Sequence, residues 1–286
     1  MAGDWERVAL GGIDFDRVME ADVVGHVLAE LAEGRGGRII TPNVDILRRT
    51  MNDAEARHHV GSATVVVADG APLIWASRMA GKPLPARVPG SDLIWSLSAA
   101  LGDAGRSVYL LGGEPGTAEI AASVLGDRFP TLVVSGFDSP PFGFDTDPDA
   151  LDLVCRRAVE AKPDLVFVGL GFPKQERLIQ RLQDTMPSAW FMGCGAAIGF
   201  VAGVRRRAPG WMQRTGLEWL HRLISEPRRL MRRYLLHDLP FAVRLLATST
   251  LARSAGPARP PSPVRPFIPR QRERRDERLD MEMSQD

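Results

Sequence analysis

The sequence predicts an α/β protein, and three observations predict it. Short apolar, β-branched runs recur along the chain, each ending in turn residues. Stretches of helical spacing separate them. A strongly basic segment with its own helical periodicity begins near residue 204. Runs without polar alternation read as strands buried on both faces. Strand alternating with helix gives a parallel sheet with helices on either side. The expected architecture is a Rossmann-like, mostly parallel sheet flanked by helices, with a small N-terminal β-hairpin and a helical C-terminal appendage.

Taken in order, Val8-Ala9-Leu10 and Ile13-Asp14-Phe15 flank Gly11-Gly12, which reads as a hairpin. Strands are predicted at residues 38–41, 64–68, 108–111, 132–134, 165–168 and 189–192, with clear helical patterns at 118–129 and 149–161. Residues 204–253 carry eleven arginines against three acids (Glu218, Glu226 and Asp238), a net charge of +8. Leu217, Leu220, Leu223, Ile224, Leu230, Tyr234 and Leu235 interleave with them at helical spacing, giving one apolar and one basic face. Residues 254–286 turn Pro-rich and then densely charged, the composition of a disordered tail. The expected division is an α/β domain at 1–203, the appendage at 204–253 and the tail at 254–286.

A hydrophobic content of 44% and a charged content of 25% fit a chain with a real core. The net charge of +1 argues against a general nucleic-acid binder. Cys155 and Cys194 lie far apart in no metal-ligand spacing and read as free thiols, which favours a cytoplasmic setting. The opening Met1-Ala2-Gly3-Asp4-Trp5-Glu6 does not read as a secretory signal. No uninterrupted apolar run reaches the ~20 residues of a spanning helix, so the chain is expected to lie on a membrane if it meets one.

Ligands of parallel α/β sheets bind beyond the carboxyl ends of the strands, and here nearly every strand exit is polar or glycine-rich. The turn of Gly112, Gly113 and Gly116 ahead of Thr117 suits a phosphate, because glycine lets backbone N–H groups approach it. Gly171 and Gly195, at later exits, carry the same nucleotide-binding expectation. The turn matches neither a P-loop nor a strict dinucleotide fingerprint, and an ordinary tight turn is the alternative. Asp69, between a buried strand and Gly70, stands where a general base belongs; an N-cap for the helix from Pro72 is the other reading. Thr41 and Asn43 are placed to hydrogen-bond a polar substrate or to serve as turn and cap. Arg87, held between Pro85 and Pro89, is a substrate clamp or a solvated arginine. Gln175 and Glu176 open a helix after Pro173, where Glu176 complements the helix dipole.

Two apparent metal motifs are discounted. Asp145-Thr146-Asp147 spells D-x-D, but Asp147-Pro148 reads as an N-cap followed by a first-turn proline. His58-His59 is read as a solvated pair at a helix end. The basic appendage has three readings: a solvated face, a surface for anionic lipid at ~1 kcal/mol per basic residue, or a grip on a diphosphate. The apolar stretch 235–246 favours membrane contact, and its face offers a site for a second subunit.

Several segments together resemble the WecG/TagA/CpsF family, glycosyltransferase family 26. They are Thr41-Pro42-Asn43; Ala68-Asp69-Gly70; Arg87-Val88-Pro89-Gly90-Ser91-Asp92-Leu93; the run from Gly169 to Glu176; Ala202-Gly203 with Arg207-Ala208-Pro209; and Gly216-Leu217-Glu218-Trp219-Leu220 with Arg222, Glu226-Pro227, Arg229 and Arg232-Arg233-Tyr234. The resemblance implies an inverting transferase without a required metal or other cofactor. It would move a sugar such as N-acetylmannosamine from a UDP-sugar or related donor to an undecaprenyl-diphosphate-linked sugar, at the inner face of the membrane. It puts the general base on Asp69 and substrate contacts on Thr41, Asn43, Arg87 and Gln175. Arg222, Arg229 and Arg232 would fold over the site. Where the family usually carries an aspartate, this chain has Gly199. A nicotinamide-dependent oxidoreductase, with Asp138 as its ribose-binding acid, and a non-catalytic membrane scaffold are the rivals.

Overall fold

The computed structural model describes residue 3 and residues 5–254. Gly11 and Gly12 take φ of 55° and 77°, as a tight hairpin turn requires. They join β1 (Arg7–Leu10) to β2 (Ile13–Asp16) as an antiparallel pair. After α1 (Glu20–Ala32) the main sheet begins with β3 (Gly37–Ile40), followed by α2 (Val44–Asn52) and α3 (Ala54–Gly61). Next come β4 (Val65–Val66), α4 (Ala71–Met79), α5 (Gly90–Asp103), β5 (Ser107–Gly112), α6 (Thr117–Arg128) and β6 (Val133–Asp138). Then follow α7 (Pro148–Glu160), β7 (Leu165–Gly169), α8 (Lys174–Thr185), β8 (Trp190–Gly193) and α9 (Ala197–Val201). The basic segment forms α10 (Gly210–Thr215), α11 (Glu218–Ser225), α12 (Pro227–Arg233), a π-helical turn at Tyr234–Asp238, and α13 (Leu239–Ser254).

The main sheet has the order β4-β3-β8-β7-β5-β6, with every pair parallel. Its strands are buried on both faces because successive side chains enter different cores. Ile39, Val65, Val108, Leu110, Leu165, Phe167, Trp190 and Met192 pack with α1, α5, α6 and α9. Tyr109, Leu111, Val166, Val168 and Phe191 face the opposite way, onto α7 and α8. At the β3–β4 end, Ile40 and Val66 join the hairpin, α2 and α4, and Leu245 of α13 enters the same core.

The two sheet edges differ. β4 is closed by the hairpin: the buried Asp16 carboxylate accepts from the Val66 N–H at 2.8 Å and pairs with Arg7 at 2.8 Å. β6 departs from the expected burial on both faces. It is an edge strand, and Val133 and Phe137 are exposed. The strand expected at 64–68 shortens to Val65–Val66, but its exit still follows β3: Val67 N–H donates to Ile40 O and Asp69 N–H to Pro42 O, at 3.1 and 3.0 Å.

The basic helices pack on the α/β body rather than beside it, and the described residues fall in one compact unit. The sequence division at 203 therefore falls inside that unit. α13 lies against α4 and α2. Gly216 (φ 76°) ends α10 so close to Ala71 of α4 that a Cβ there would overlap it. Of the predicted apolar face, Leu230 is buried, Leu217, Leu220, Leu223 and Tyr234 are half-buried, and Ile224 and Leu235 are exposed; Met231, Leu236, Leu239 and Val243 are exposed as well. The expected tail lies outside the described residues, apart from Ser254.

Candidate active site

A cleft of about 810 Å³ opens at the carboxyl ends of the strands, where such sheets bind ligands. Asp69, Thr41, Asn43, Arg87, Gln175 and Arg222 all line it. Backbone hydrogen bonds bring the first four together. Asp69 is tied to Pro42, between Thr41 and Asn43, and Val88 N–H donates to Ala68 O at 2.9 Å, which draws the Arg87 loop alongside. Gly90 opens α5 against Thr41: a Cβ there would sit 3.4 Å from the Thr41 hydroxyl.

Asp69 is not the N-cap of α4. That position belongs to Gly70, and no side chain caps it. Burial, reinforced by the Glu218 charge, pushes the Asp69 carboxyl up to about 6, while Arg87 and Arg222 pull it down and Asp92 adds a smaller push upward. Asn43 does act as a cap: its Oδ1 accepts from Ile46 N–H at 3.1 Å. Its Nδ2 makes no hydrogen bond among the described residues and remains available where Asn43 meets the cleft.

Arg87 is neither solvated nor free. It bonds Glu218 at 3.1 Å and the Gln213 carbonyl at 3.2 Å, so it fastens α10 and α11 over the cleft. Arg207 adds a second fastening, to Asp92 and, at 3.7 Å, to Glu218. Asp69, Asp92 and Glu218 thus share their surroundings with Arg87, Arg207 and Arg222. Asp92, Arg207 and Glu218 were absent from the expected site residues although each lies in a segment that carried the resemblance.

Of the three appendage arginines expected to reach the substrate, Arg222 lines the cleft and engages no carboxylate among the described residues. Arg232 is exposed and outside the lining. The Arg229 side chain lies outside the description. Arg49, Arg205 and Arg233 line the cleft instead. Arg205 approaches Gly199, with its Cδ 3.3 Å from where a Cβ would stand, and pairs with Glu226 at 2.9 Å.

Gln175 is almost wholly buried. Its Oε1 accepts from Gly171 N–H and Gly195 N–H, both at 3.1 Å. Those two amides, expected to face a nucleotide, are therefore engaged by the protein. Glu176 does more than complement a dipole: it is fully buried, takes a hydrogen bond from Gln175 Nε2 at 3.1 Å, and burial pushes its carboxyl up to about 7. In the glycine turn, Gly113 N–H donates to Gly169 O, Thr117 N–H to Glu114 O, and Ala118 N–H to Ser139 Oγ. Gly112 (φ 120°) lies so close to β7 that a Cβ would stand 2.6 Å from Gly169 O. Gly116 takes the left-handed N-cap position of α6.

Pro140, Pro141 and Phe142, which follow β6, also line the cleft. Phe142 is fully exposed, with Lys174 Nζ 5.4 Å from its ring centre and 2.7 Å from Asp145. Asp147 caps α7 through Asp149 and Ala150 N–H, as the proline after it implied. Asp138 pairs with Arg157 at 3.2 Å and is not among the cleft-lining residues, which leaves the ribose contact of a dinucleotide site without its acid. The reading of His58-His59 as solvated needs correction: His59 lies on the inner face of α3, buried and 3.4 Å from Glu55, and its backbone carbonyl accepts from Arg38 of β3 at 2.9 Å.

The N-acetylglucosaminyldiphosphoundecaprenol N-acetyl-beta-D-mannosaminyltransferase of Bacillus subtilis (strain 168) is 29% identical over 197 residues, spanning 69% of this chain and 75% of the relative. The protein of the same name from Staphylococcus aureus (strain MW2) is 28% identical over 228 residues, spanning 79% of this chain and 87% of its own. The family model for the glycosyl transferase WecG/TagA/CpsF family matches residues 8–255. With its parallel sheet, its polar strand exits and its packed basic helices, the chain belongs to that family and is a glycosyltransferase.

Proposed function

We propose that the cleft transfers the sugar of a nucleotide sugar to a polyprenyl-diphosphate-linked sugar and releases the nucleoside diphosphate, with Asp69 as the general base. The names of the relatives point to N-acetylmannosamine as the sugar moved and N-acetylglucosaminyl-diphosphoundecaprenol as the acceptor; UDP is the nucleotide we assign. The observation that carries the reading is that Asp69, Thr41, Asn43 and Arg87, drawn together by backbone hydrogen bonds, line one cleft with Arg222.

The acceptor hydroxyl gives its proton to the Asp69 carboxylate as its oxygen attacks the anomeric carbon of the donor. The bond from that carbon to the diphosphate breaks, and the nucleoside diphosphate leaves with the electron pair, inverting the anomeric centre. A carboxyl near pH 6 is mostly ionised at neutral pH yet basic enough to accept the proton. The negative charge that builds on the leaving diphosphate falls to Arg222 and the other cleft arginines, whose forked donors match phosphate oxygens. Thr41 and Asn43 orient the acceptor. No helix among the described residues is long and apolar enough to cross a membrane. The exposed leucines of the π-helical turn and α13, with arginines around them, support peripheral contact with the inner membrane face, where the lipid acceptor is held.

The test is release of UDP from UDP-N-acetylmannosamine with a short-chain polyprenyl-diphosphate N-acetylglucosamine. Asp69→Asn and Asp69→Ala should lower turnover ~10²–10⁴-fold, with Tm showing that the fold survives. In the unaltered protein kcat/KM should climb with pH through about 6, then level. Near-normal turnover in both variants removes Asp69 from the role.

A further inference from the structure

We infer that Glu176 is a positioning residue: its carboxylate fixes which way the Gln175 amide points, and that amide holds the β7 and β8 exit turns together at the floor of the cleft. The link to catalysis rests on the proposed function; the link to structure does not.

A glutamine amide has an acceptor end and a donor end of nearly the same shape, so only its hydrogen bonds decide between two orientations. Here the acceptor end takes two backbone N–H groups, from Gly171 after β7 and from Gly195 after β8. Turned over, the amide would set its own N–H groups against those two donors, and buried donors left unmatched are costly. The donor end meets Glu176 Oε1 at 3.1 Å. An acceptor there makes the observed orientation the satisfied one.

A second observation is independent of these bonds. Gly193, the last residue of β8, does not have positive φ, so its backbone conformation does not call for glycine. The space beside it does: a Cβ at 193 would overlap Gln175 Nε2 and Glu176 Oε1. The strand end is cut back to a hydrogen atom to admit this side-chain pair. Glu176 is fully buried and its Oε2 has no hydrogen-bond partner among the described residues; burial pushes its carboxyl up, against the weaker pulls of the Gln175 hydrogen bond and the Arg38 charge. This is a cramped, incompletely satisfied carboxylate, and the amide beside it is what it orients.

The experiment uses the full chain with two readouts: amide hydrogen exchange across residues 169–175 and 193–197, and kcat/KM. Glu176→Leu removes the acceptor. Exchange in both turns should speed up together, and kcat/KM should fall about tenfold to a hundredfold. Glu176→Gln keeps a carbonyl acceptor and should stay within about threefold of the unaltered protein in both readouts. Should Glu176→Leu fail to fold, the pair can be reversed. Gln175→Glu alone sets two carboxyl groups face to face and should loosen both turns; Gln175→Glu with Glu176→Gln restores a donor facing an acceptor and should recover much of the loss. Normal exchange and kcat/KM in Glu176→Leu would overturn the inference. So would losses in Glu176→Gln equal to those in Glu176→Leu, or a reversed pair no better than Gln175→Glu. If the exchange pattern holds but no transfer is seen, the proposed reaction fails and the strut stands.

Discussion

At the scale of single residues, the sequence marked where chemistry gathers better than what each side chain does. Asp69, Thr41, Asn43 and Gln175 were legible because strand-exit position is a sequence property. Their partners were not, since hydrogen bonds such as those from Gly171 and Gly195 to Gln175 depend on neighbouring strands. Glu176 shows the difference in energy. Burial lifts its carboxyl from 4.5 to about 7. Between those values the folded chain keeps a proton that the unfolded chain has lost, so this group's contribution falls as pH rises from about 4.5 to about 7 and is flat above. The loss is on the order of 3 kcal/mol. Thermal melts of Glu176→Gln against the unaltered protein should show that decline missing, with the two curves furthest apart above pH 7. Parallel curves across that window would mean the carboxyl is not perturbed in the folded state.

At the scale of elements, strand and helix positions were legible to within a few residues because apolar runs and turn residues are local signals. The packing of the basic helices was not. Charge at 204–253 left a solvated face, lipid contact and a diphosphate grip open, and two of its arginines, Arg205 and Arg207, pair within the fold with Glu226 and Asp92. The segment also keeps exposed apolar side chains. Leu236, Leu239 and Val243 are exposed on consecutive turns next to Arg232 and Arg244. Interfacial burial of such side chains adds to electrostatic attraction toward anionic lipid. Leu236→Ser with Leu239→Ser should weaken co-sedimentation with anionic vesicles severalfold and leave Tm nearly unchanged. Unaltered sedimentation would send the lipid-facing surface elsewhere.

At the scale of the whole molecule, the α/β class, the parallel sheet and the N-terminal hairpin follow from alternation alone, but strand order does not, because any right-handed crossover satisfies the same pattern. The order matters. β4-β3 and β7-β5-β6 touch only through β8, the last strand in the chain. Thr41, Asn43 and Asp69 hang from the first group, while Gly112, Gly116 and Gly171 hang from the second. A chain ending at residue 189 should keep helical signal yet lose its sharp cooperative melt, because it lacks the ladder that joins the two groups and the Trp190, Phe191 and Met192 side chains that fill the cores on both faces. A single sharp transition in that fragment would show the ladders joining without β8.

The hairpin carries a related consequence for how the protein is born. Its Asp16 waits on the ribosome for a partner fifty residues downstream, and the central gap of the sheet stays empty until residue 190 has been made. The edge of β3 that β8 will pair is therefore bare from the time residue 40 is made until residue 190 follows. Loop closure over such separations is slow, so the youngest chains are the ones most in need of chaperone cover. A cell that makes this enzyme faster than β8 can insert would collect it as aggregate before it ever met a sugar.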